Sequence, residues 1–340
     1  MWAIYHSSDK FAEVSAVSMV SLFENNKSFS DIHILYIERD MSDGSKEKLR
    51  KIAERYGRTI EFVPMPNWSE RLNIKLSTTK KGWLGFGYNR LFITELVPDD
   101  VDRVLYLDSD TLIEGDLTKL WNIDFKDNYI AGVDDCLSRR YAKLVDLPEN
   151  GTYCNSGMLL MNLKKWREDN IKQTFIDYIY EKKGYFVFNE QSILNHVFAG
   201  KILILPPEYN TVTIVFALEY DEMHVLRMPR RYSYSKKQYL NARKSPKIVH
   251  YTGLFMIPYR PWEKGSTHPH LKAFMKYRQM TPWANAPLMD ANKGKFSKIC
   301  QNICMKLPRK FMLKVVSFVY NYLRVMLFWY RKHKFLSDNK

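Results

Sequence analysis

The sequence predicts an α/β protein built on a largely parallel sheet. Three observations carry this. Over the first half of the chain, short apolar runs of strand character alternate with segments whose apolar residues recur at helical spacing. One run, residues 103–107 (RVLYL), is almost unbroken in its apolar character, as expected of a strand covered on both faces. The 340 residues are 46% hydrophobic and 14% aromatic, ample material for a buried core and too apolar for a disordered chain.

In order, residues 2–6 (WAIYH) read as a first strand, followed by a helix from Phe11 to Phe23 with Val14, Val17 and Val20 near helical spacing. Residues 31–37 (DIHILYI) form a second strand. Leu49, Ile52, Ala53 and Tyr56 mark a helix that Gly57 stops. Residues 59–65 (TIEFVPM) are a third strand. After a polar loop, Tyr88 to Leu96 reads as a helix, and RVLYL is the fourth strand. The second half continues with strands at 129–133 (YIAGV) and 157–163 (GMLLMNL), a helix from Lys164 to about Lys182, and a short helix from Glu190 to Phe198. Strands at 202–206 (ILILP) and 247–251 (KIVHY) follow, among proline-punctuated loops. Such alternation predicts a sheet whose ligands sit beyond the carboxyl ends of its strands.

Near Met289 the character changes, dividing the chain into a 1–288 unit and a 289–340 tail. Pro308 is placed to open a helix. Lys310, Lys314, Ser317, Asn321, Arg324 and Arg331 then mark a polar stripe, with Phe311, Val315, Phe318, Leu323, Met326 and Trp329 among the apolar remainder. A basic, aromatic-rich amphipathic helix suits a membrane interface; the alternative is a helix docked on the protein's own core. The net charge of +15 favours a polyanionic partner. Its crowding into the tail, against an acidic stretch from Asp99 to Asp135, points to an anionic membrane surface rather than nucleic acid. No signal peptide opens the sequence, and no window of about 18 uncharged apolar residues marks an ordinary membrane span. Cys136, Cys154, Cys300 and Cys304 read as free thiols. Together these place the protein in the cytoplasm, peripheral on the inner face of the cell membrane.

The most informative site is Asp108-Ser109-Asp110, directly after RVLYL. Side chains two apart on an extended segment point the same way. Two crowded carboxylates repel unless a cation lies between them, and hard oxygen ligands suit Mn2+, with Mg2+ as the alternative. Such an ion would bridge a diphosphate and stabilise it as a leaving group. Phosphohydrolases of the haloacid dehalogenase type carry a similar D-x-D, but with Thr or Val fifth, where Leu112 stands here, and usually on the first strand. That reading, and a non-catalytic membrane-binding protein, are the alternatives.

LYLDSDTLI, YCNSGMLLMNLKKWR, NEQSILN and HYTG followed by RPW, in this order, resemble the family 8 retaining glycosyltransferases, which include bacterial lipopolysaccharide galactosyl- and glucosyltransferases. The resemblance runs from residue 1 to about residue 265. It implies a GT-A fold, with a Rossmann-like nucleotide-binding sheet and flanking helices, and a UDP-sugar donor. It also implies Mn2+ and transfer of galactose or glucose, with retention, to a glycan or glycolipid acceptor in surface-polysaccharide synthesis. By that resemblance Asp108, Asp110 and His250 hold the metal. Arg90, Asn155, Asp135 (or Asp134, one register earlier), Ser109 and Gly253 lie at the donor, Glu190 binds its sugar hydroxyls and Gln191 lies close to its anomeric carbon. Ser8 falls where the family often has an Asp contacting uracil, with Asp9 beside it. Arg260 stands for a diphosphate-binding Lys after a longer loop, and Ser192 replaces the second Asp of the family's Asp-Gln-Asp. Gln191, a neutral amide, would stabilise charge at the sugar carbon rather than attack it, favouring a front-face displacement.

Overall fold

The computed structural model describes residues 1–77, 85–149, 151–229, 234–291, 301 and 303–338. Strand β1 (Trp2–Ser8) pairs in parallel with β2 (His33–Arg39) on one side and β4 (Arg103–Leu107) on the other. Beyond β2 lies β3 (Thr59–Pro64), also parallel. The connection from β4 carries β5 (Thr111–Ile113) out of this sheet. The sheet continues with β6 (Ile130–Asp134), β7 (Cys154–Asn162) and β8 (Ile202–Ile204), in the order β3-β2-β1-β4-β7-β6-β8. Both ladders of β7 are antiparallel, to β4 and to β6; the other ladders are parallel. This is the expected α/β architecture, with one reversed strand inside it.

A second, three-stranded sheet is formed by β5, β9 (Thr211–Val212) and β10 (Ile248–His250), in the order β5-β10-β9. The helix Ala12–Asn25 holds it against the large sheet, and Ala12 to Phe23 are all buried. Its serines explain how so buried a helix tolerates polar residues: Ser15, Ser18 and Ser21 recur one turn apart and each finds a partner on the segment that leaves β4. Ser15 Oγ donates to Ser109 Oγ (2.9 Å), the Ser18 and Thr111 hydroxyls are hydrogen-bonded to each other (3.1 Å), and Ile113 N donates to Ser21 Oγ (2.9 Å). The segment carrying the two aspartates is thus fastened along its length.

Two expected helices take a different form. Residues 88–96 make two 3-10 turns, Phe86–Arg90 and Ile93–Glu95, closed by Leu91 N to Tyr88 O and Leu96 N to Ile93 O. The stretch 164–182 is broken into Leu163–Glu168 and Ile171–Glu181 by Asn170, left-handed at φ 48°. Asparagine tolerates that conformation, and the bend sets Trp166 edge-on to Phe175 at 5.5 Å. Cys136 and Cys154 are free and buried and Cys304 is free; Cys300 lies outside the described residues.

From Arg309 to Ser337 the chain is helical, immediately after Pro308, with a π-helical turn at Val319–Leu323. This 29-residue run is long and apolar enough, by length and composition, to cross a membrane, because its apolar stretch tolerates the few charges that break every uncharged window. Its expected polar stripe is split. Lys310, Lys314, Arg324 and Arg331 face out, whereas Ser317 and Asn321 turn inward. The reason lies in the helix Tyr220–Arg227, whose last carbonyls have no partners within their own helix. Ser317 Oγ donates to Val225 O (2.7 Å) and Asn321 Nδ2 to Leu226 O (2.9 Å). Met312, Leu313 and Phe328 are buried beside them, while Phe318, Met326 and Trp329 are more than half exposed.

Replacing Asn321 by Ala leaves the Leu226 carbonyl buried without its donor. The expected loss is about 1–3 kcal/mol of unfolding free energy, read from the denaturant midpoint. An unchanged midpoint would show that the terminal helix does not dock there.

Candidate functional site

The site lies where the carboxyl ends of β1, β4 and β10 meet. Asp108 follows β4 and is pinned by its N–H to Gly157 O (2.8 Å) on β7. Ser109 and Asp110 form a turn closed by Thr111 N to Asp108 O (3.1 Å), not the extended segment expected from D-x-D after a strand. The carboxylates therefore converge across a turn, which the chain needs in order to pass from β4 into β5. Antiparallel pairing of β5 with β10 sets His250 opposite Thr111, and Tyr251 N bonds Asp110 O (2.9 Å). His250 Nε2 thereby lies 3.2 Å from Asp110 Oδ1 and 3.7 Å from Asp108 Oδ2. One ligand atom from each residue falls within 4.8 Å of the others.

This donor set fits a divalent cation. Two carboxylates supply hard oxygens, and the imidazole is oriented from behind. His250 Nδ1 lies 3.1 Å from Asn210 Oδ1; an N–H there leaves the Nε2 lone pair for the metal. Asn210 is itself held by its Nδ2 donating to Asn155 Oδ1 (2.9 Å), which also accepts from Gly157 N (3.0 Å). Gly157 makes room for the ring: a Cβ there would lie 2.1 Å from His250 Cε1. Asp110 is held well below the usual carboxylate range, because His250 and Arg260 outweigh the upward push of burial. For His250, burial pulls the pKa down, but Asp110 and Asp108 more than offset it and the net direction is up.

The second half of the site is a buried ionic chain. Arg90, 2% exposed, donates from Nη2 to Asp108 Oδ1 and from Nη1 to Glu190 Oε1 (2.9 Å), with its guanidinium 4.6 Å from the centre of the Tyr106 ring. Glu190 reaches Arg90 through a gap at Gly87, where a Cβ would lie 1.9 Å from Glu190 Oε2. Burial raises the pKa of Glu190, and Arg90 opposes this only in part. Gln191 Oε1 accepts from Ser156 N (2.9 Å) and lies 3.1 Å from Ser156 Oγ. Its carbonyl is thus already engaged.

The other expected residues are distributed around this centre. Arg260 Nη1 donates to Asp110 Oδ2 (2.9 Å) and to Tyr251 O, and Gly253 keeps its neighbourhood open, since a Cβ would come within 3.3 Å of Arg260 Nη2. Asp135 Oδ1 lies 3.9 Å from Arg227 Nη2, whereas Asp134 Oδ1 accepts from Cys136 N. Asp134, Asp135, Asn155 and Asn210 line a small cavity of about 40 Å3. Ser8 ends β1, and Asp9 Oδ1 accepts from both Ser42 N and Ser42 Oγ, holding the residue that caps the helix Asp43–Arg55. Ser109 Oγ turns inward, donating to His6 O (2.6 Å), so its hydroxyl does not face the cleft.

Sequence reasoning missed several contributors. Asn210, Ser156, Gly87 and Arg227 act through partners distant in the chain; Ser156 lies inside a motif singled out, and Gly87 opens the GYNRL stretch that carries Arg90. His6 is buried beside Asp108, its Nε2 3.8 Å from Oδ1, with its pKa lowered to about 4 by burial and by Arg90.

The sequence model described as glycosyl transferase family 8 matches residues 3–265. General stress protein A of Bacillus subtilis is 26% identical over 278 residues, covering 81% of this chain and 92% of that protein. Lipopolysaccharide 1,2-glucosyltransferase of Escherichia coli K12 is 28% identical over 282 residues, covering 81% and 76%. The crystal structure of galactosyltransferase LgtC with donor and acceptor sugar analogs superposes with a TM-score of 0.69 at 23% identity, covering 83% of this chain and 96% of that one. At that identity it speaks for the fold.

Asn210→Leu removes the hydrogen bond that orients His250, and Mn2+ affinity measured by calorimetry is expected to fall about 10–100-fold. Because protons compete for Nε2, affinity also falls as pH drops through the raised His250 value, with proton release on binding. A pH-independent affinity would remove His250 from the ligand set.

Proposed function

The chain belongs to glycosyl transferase family 8, and on that premise we propose that it is a metal-dependent retaining hexosyltransferase. It takes galactose or glucose from a UDP-sugar to a glycan or glycolipid acceptor in lipopolysaccharide or related surface-polysaccharide synthesis. The observation that carries this reading is the meeting of Asp108, Asp110 and His250 with the Arg90–Glu190 pair at one strand end. Residues suited to a cation and residues suited to a sugar share Asp108.

Asp108, Asp110 and His250 would hold the cation, Mn2+ by preference. When bound, it supplies positive charge to the departing diphosphate. Arg260, beside Asp110, adds a fixed guanidinium to that charge and matches phosphate geometry. Glu190 and Asp135 offer carboxylates to sugar hydroxyls, and Asn155, whose oxygen is committed to Asn210 and Gly157, offers its amide N–H. Ser8 and Asp9 lie at the end of β1 for the nucleotide base. Gln191 places a polar amide near the sugar carbon. With its oxygen tied to Ser156, it is a poorer nucleophile still, so the acceptor hydroxyl attacks from the side the diphosphate leaves.

Residues 1–288 form the catalytic unit and 289–340 its membrane-contacting part. The outward face of the terminal helix combines Phe311, Phe318, Met326 and Trp329 with Lys310, Lys314 and Arg324, a composition suited to an anionic interface. That location is the inner, cytoplasmic face of the cell membrane.

Asp110→Asn removes a ligand while keeping the side chain's shape. Mn2+-dependent UDP release from a matched UDP-sugar should drop more than about 100-fold, beyond the effect of losing an outer support, with an unchanged circular dichroism spectrum. Near-normal turnover would sink the metal assignment. Separately, the full chain should float with anionic vesicles in a density gradient and not with neutral ones, and a chain ending at residue 300 should lose this. Equal flotation of the shortened chain would place the membrane contact elsewhere.

A further inference from the structure

Away from the metal-ligand cluster the molecule has a second concavity, of about 790 Å3, between the end of the terminal helix and the catalytic unit. Its size is that of a small-molecule site. Its floor is apolar: Tyr178, Phe186 and Val187 line it and are themselves nearly buried. Its rim is cationic. Lys182 is satisfied by Asp146 (3.2 Å) and Glu181 (2.9 Å). Lys183, Lys332 and Lys334 also line the cleft, and among the described residues none of them makes an ion pair.

Three unpaired ammonium groups around an apolar floor select against metal ions and polyamines. The carboxylates of Asp146 and Glu181, which also line the cleft, are taken up by Lys182. The ammonium groups of Lys183, Lys332 and Lys334 favour an anion that carries hydrocarbon. Position narrows this further. On the outer side, Tyr330 both lines the cleft and is 61% exposed, beside Met326 and Trp329, so the cleft opens at the edge of the apolar face of the terminal helix. On the inner side it is lined by Ser192, buried on the helix Asn189–Val197 next to Gln191.

We propose that this cleft binds a phosphorylated amphiphile, the lipid-linked acceptor, with its phosphate on Lys183, Lys332 and Lys334 and its hydrocarbon on Tyr178, Phe186 and Val187. The identification as acceptor rests on the glycosyltransferase reading; the binding itself does not. The cleft would hold the anionic end of the acceptor between the membrane face and the helix that carries Glu190 and Gln191.

The test is calorimetry on the full chain with Mn2+ and saturating UDP, so that the donor site is filled, using dodecyl phosphate below its micellar concentration. Dodecyl phosphate should bind at least about tenfold more tightly than dodecyl maltoside or inorganic phosphate, the size of one charge-assisted contact. The Lys183→Glu, Lys332→Glu double variant should lose about that factor while binding UDP as the parent does. Equal affinity in parent and variant, or equal affinity for the maltoside, overturns the proposal. Tighter binding of dihexanoyl phosphatidylglycerol than of dodecyl phosphate assigns the cleft to bulk membrane lipid and overturns the acceptor assignment. Absence of UDP binding in the parent, with dodecyl phosphate still discriminated, would fail the glycosyltransferase reading and leave the cleft standing.

Discussion

The part-buried Asp108 and the buried Glu190 lie close together because the guanidinium of Arg90 lies between them. Without that cation, the buried carboxylate of Glu190 would face the part-buried carboxylate of Asp108 with nothing to offset their repulsion. Much of the local architecture serves this arrangement. The 3-10 turn Phe86–Arg90 aims the guanidinium inward, the Tyr106 ring supports it, and the bare backbone at Gly87 admits the longer side chain of Glu190. A glutamate where the family commonly has aspartate carries an extra methylene, and a glycine provides the room for it.

The same aspartate belongs to a second group of charges. Asp108 shares the other half of the site with Asp110 and His250, which the small sheet delivers rather than the large one. The metal-facing cluster is thus built across two sheets, and the helix Ala12–Asn25, through Ser15, Ser18 and Ser21, keeps the turn between them in place. Charge on Arg260 lies at the outer edge of this cluster, on a loop held by Tyr251 and Glu263.

The alternation of strands and helices, the carboxylates after RVLYL and the histidine within KIVHY were legible in the sequence, because each depends on local pattern. What was not legible depends on partners far along the chain. GMLLMNL has the same apolar run whichever way it points, so nothing local announced that β7 is antiparallel. Asn210 is an ordinary loop asparagine until β9 brings it behind His250. The tyrosine- and arginine-bearing stretch at 88–96 has helical spacing, yet its tight turns are set by Gly85 and by Asn89 accepting from the Trp68 indole. Ser317 and Asn321 read as part of a solvent-facing stripe, and only the open carbonyls of the helix Tyr220–Arg227 explain why they point inward.

That last contact bears on how the enzyme meets its substrate. Arg227, at the end of the clamped helix, touches Asp135 on one side, and its Nη1 donates to Tyr320 OH (2.5 Å) on the other. The terminal helix is therefore bolted to the walls of the small cavity that Asp135 and Arg227 line, rather than trailing from them on a slack leash. On the proposed membrane contact, a helix mounted this way would fix the altitude and heading of the active site over the bilayer. Acceptors whose reactive hydroxyl lies at another height would be turned away by distance alone, whatever their chemistry.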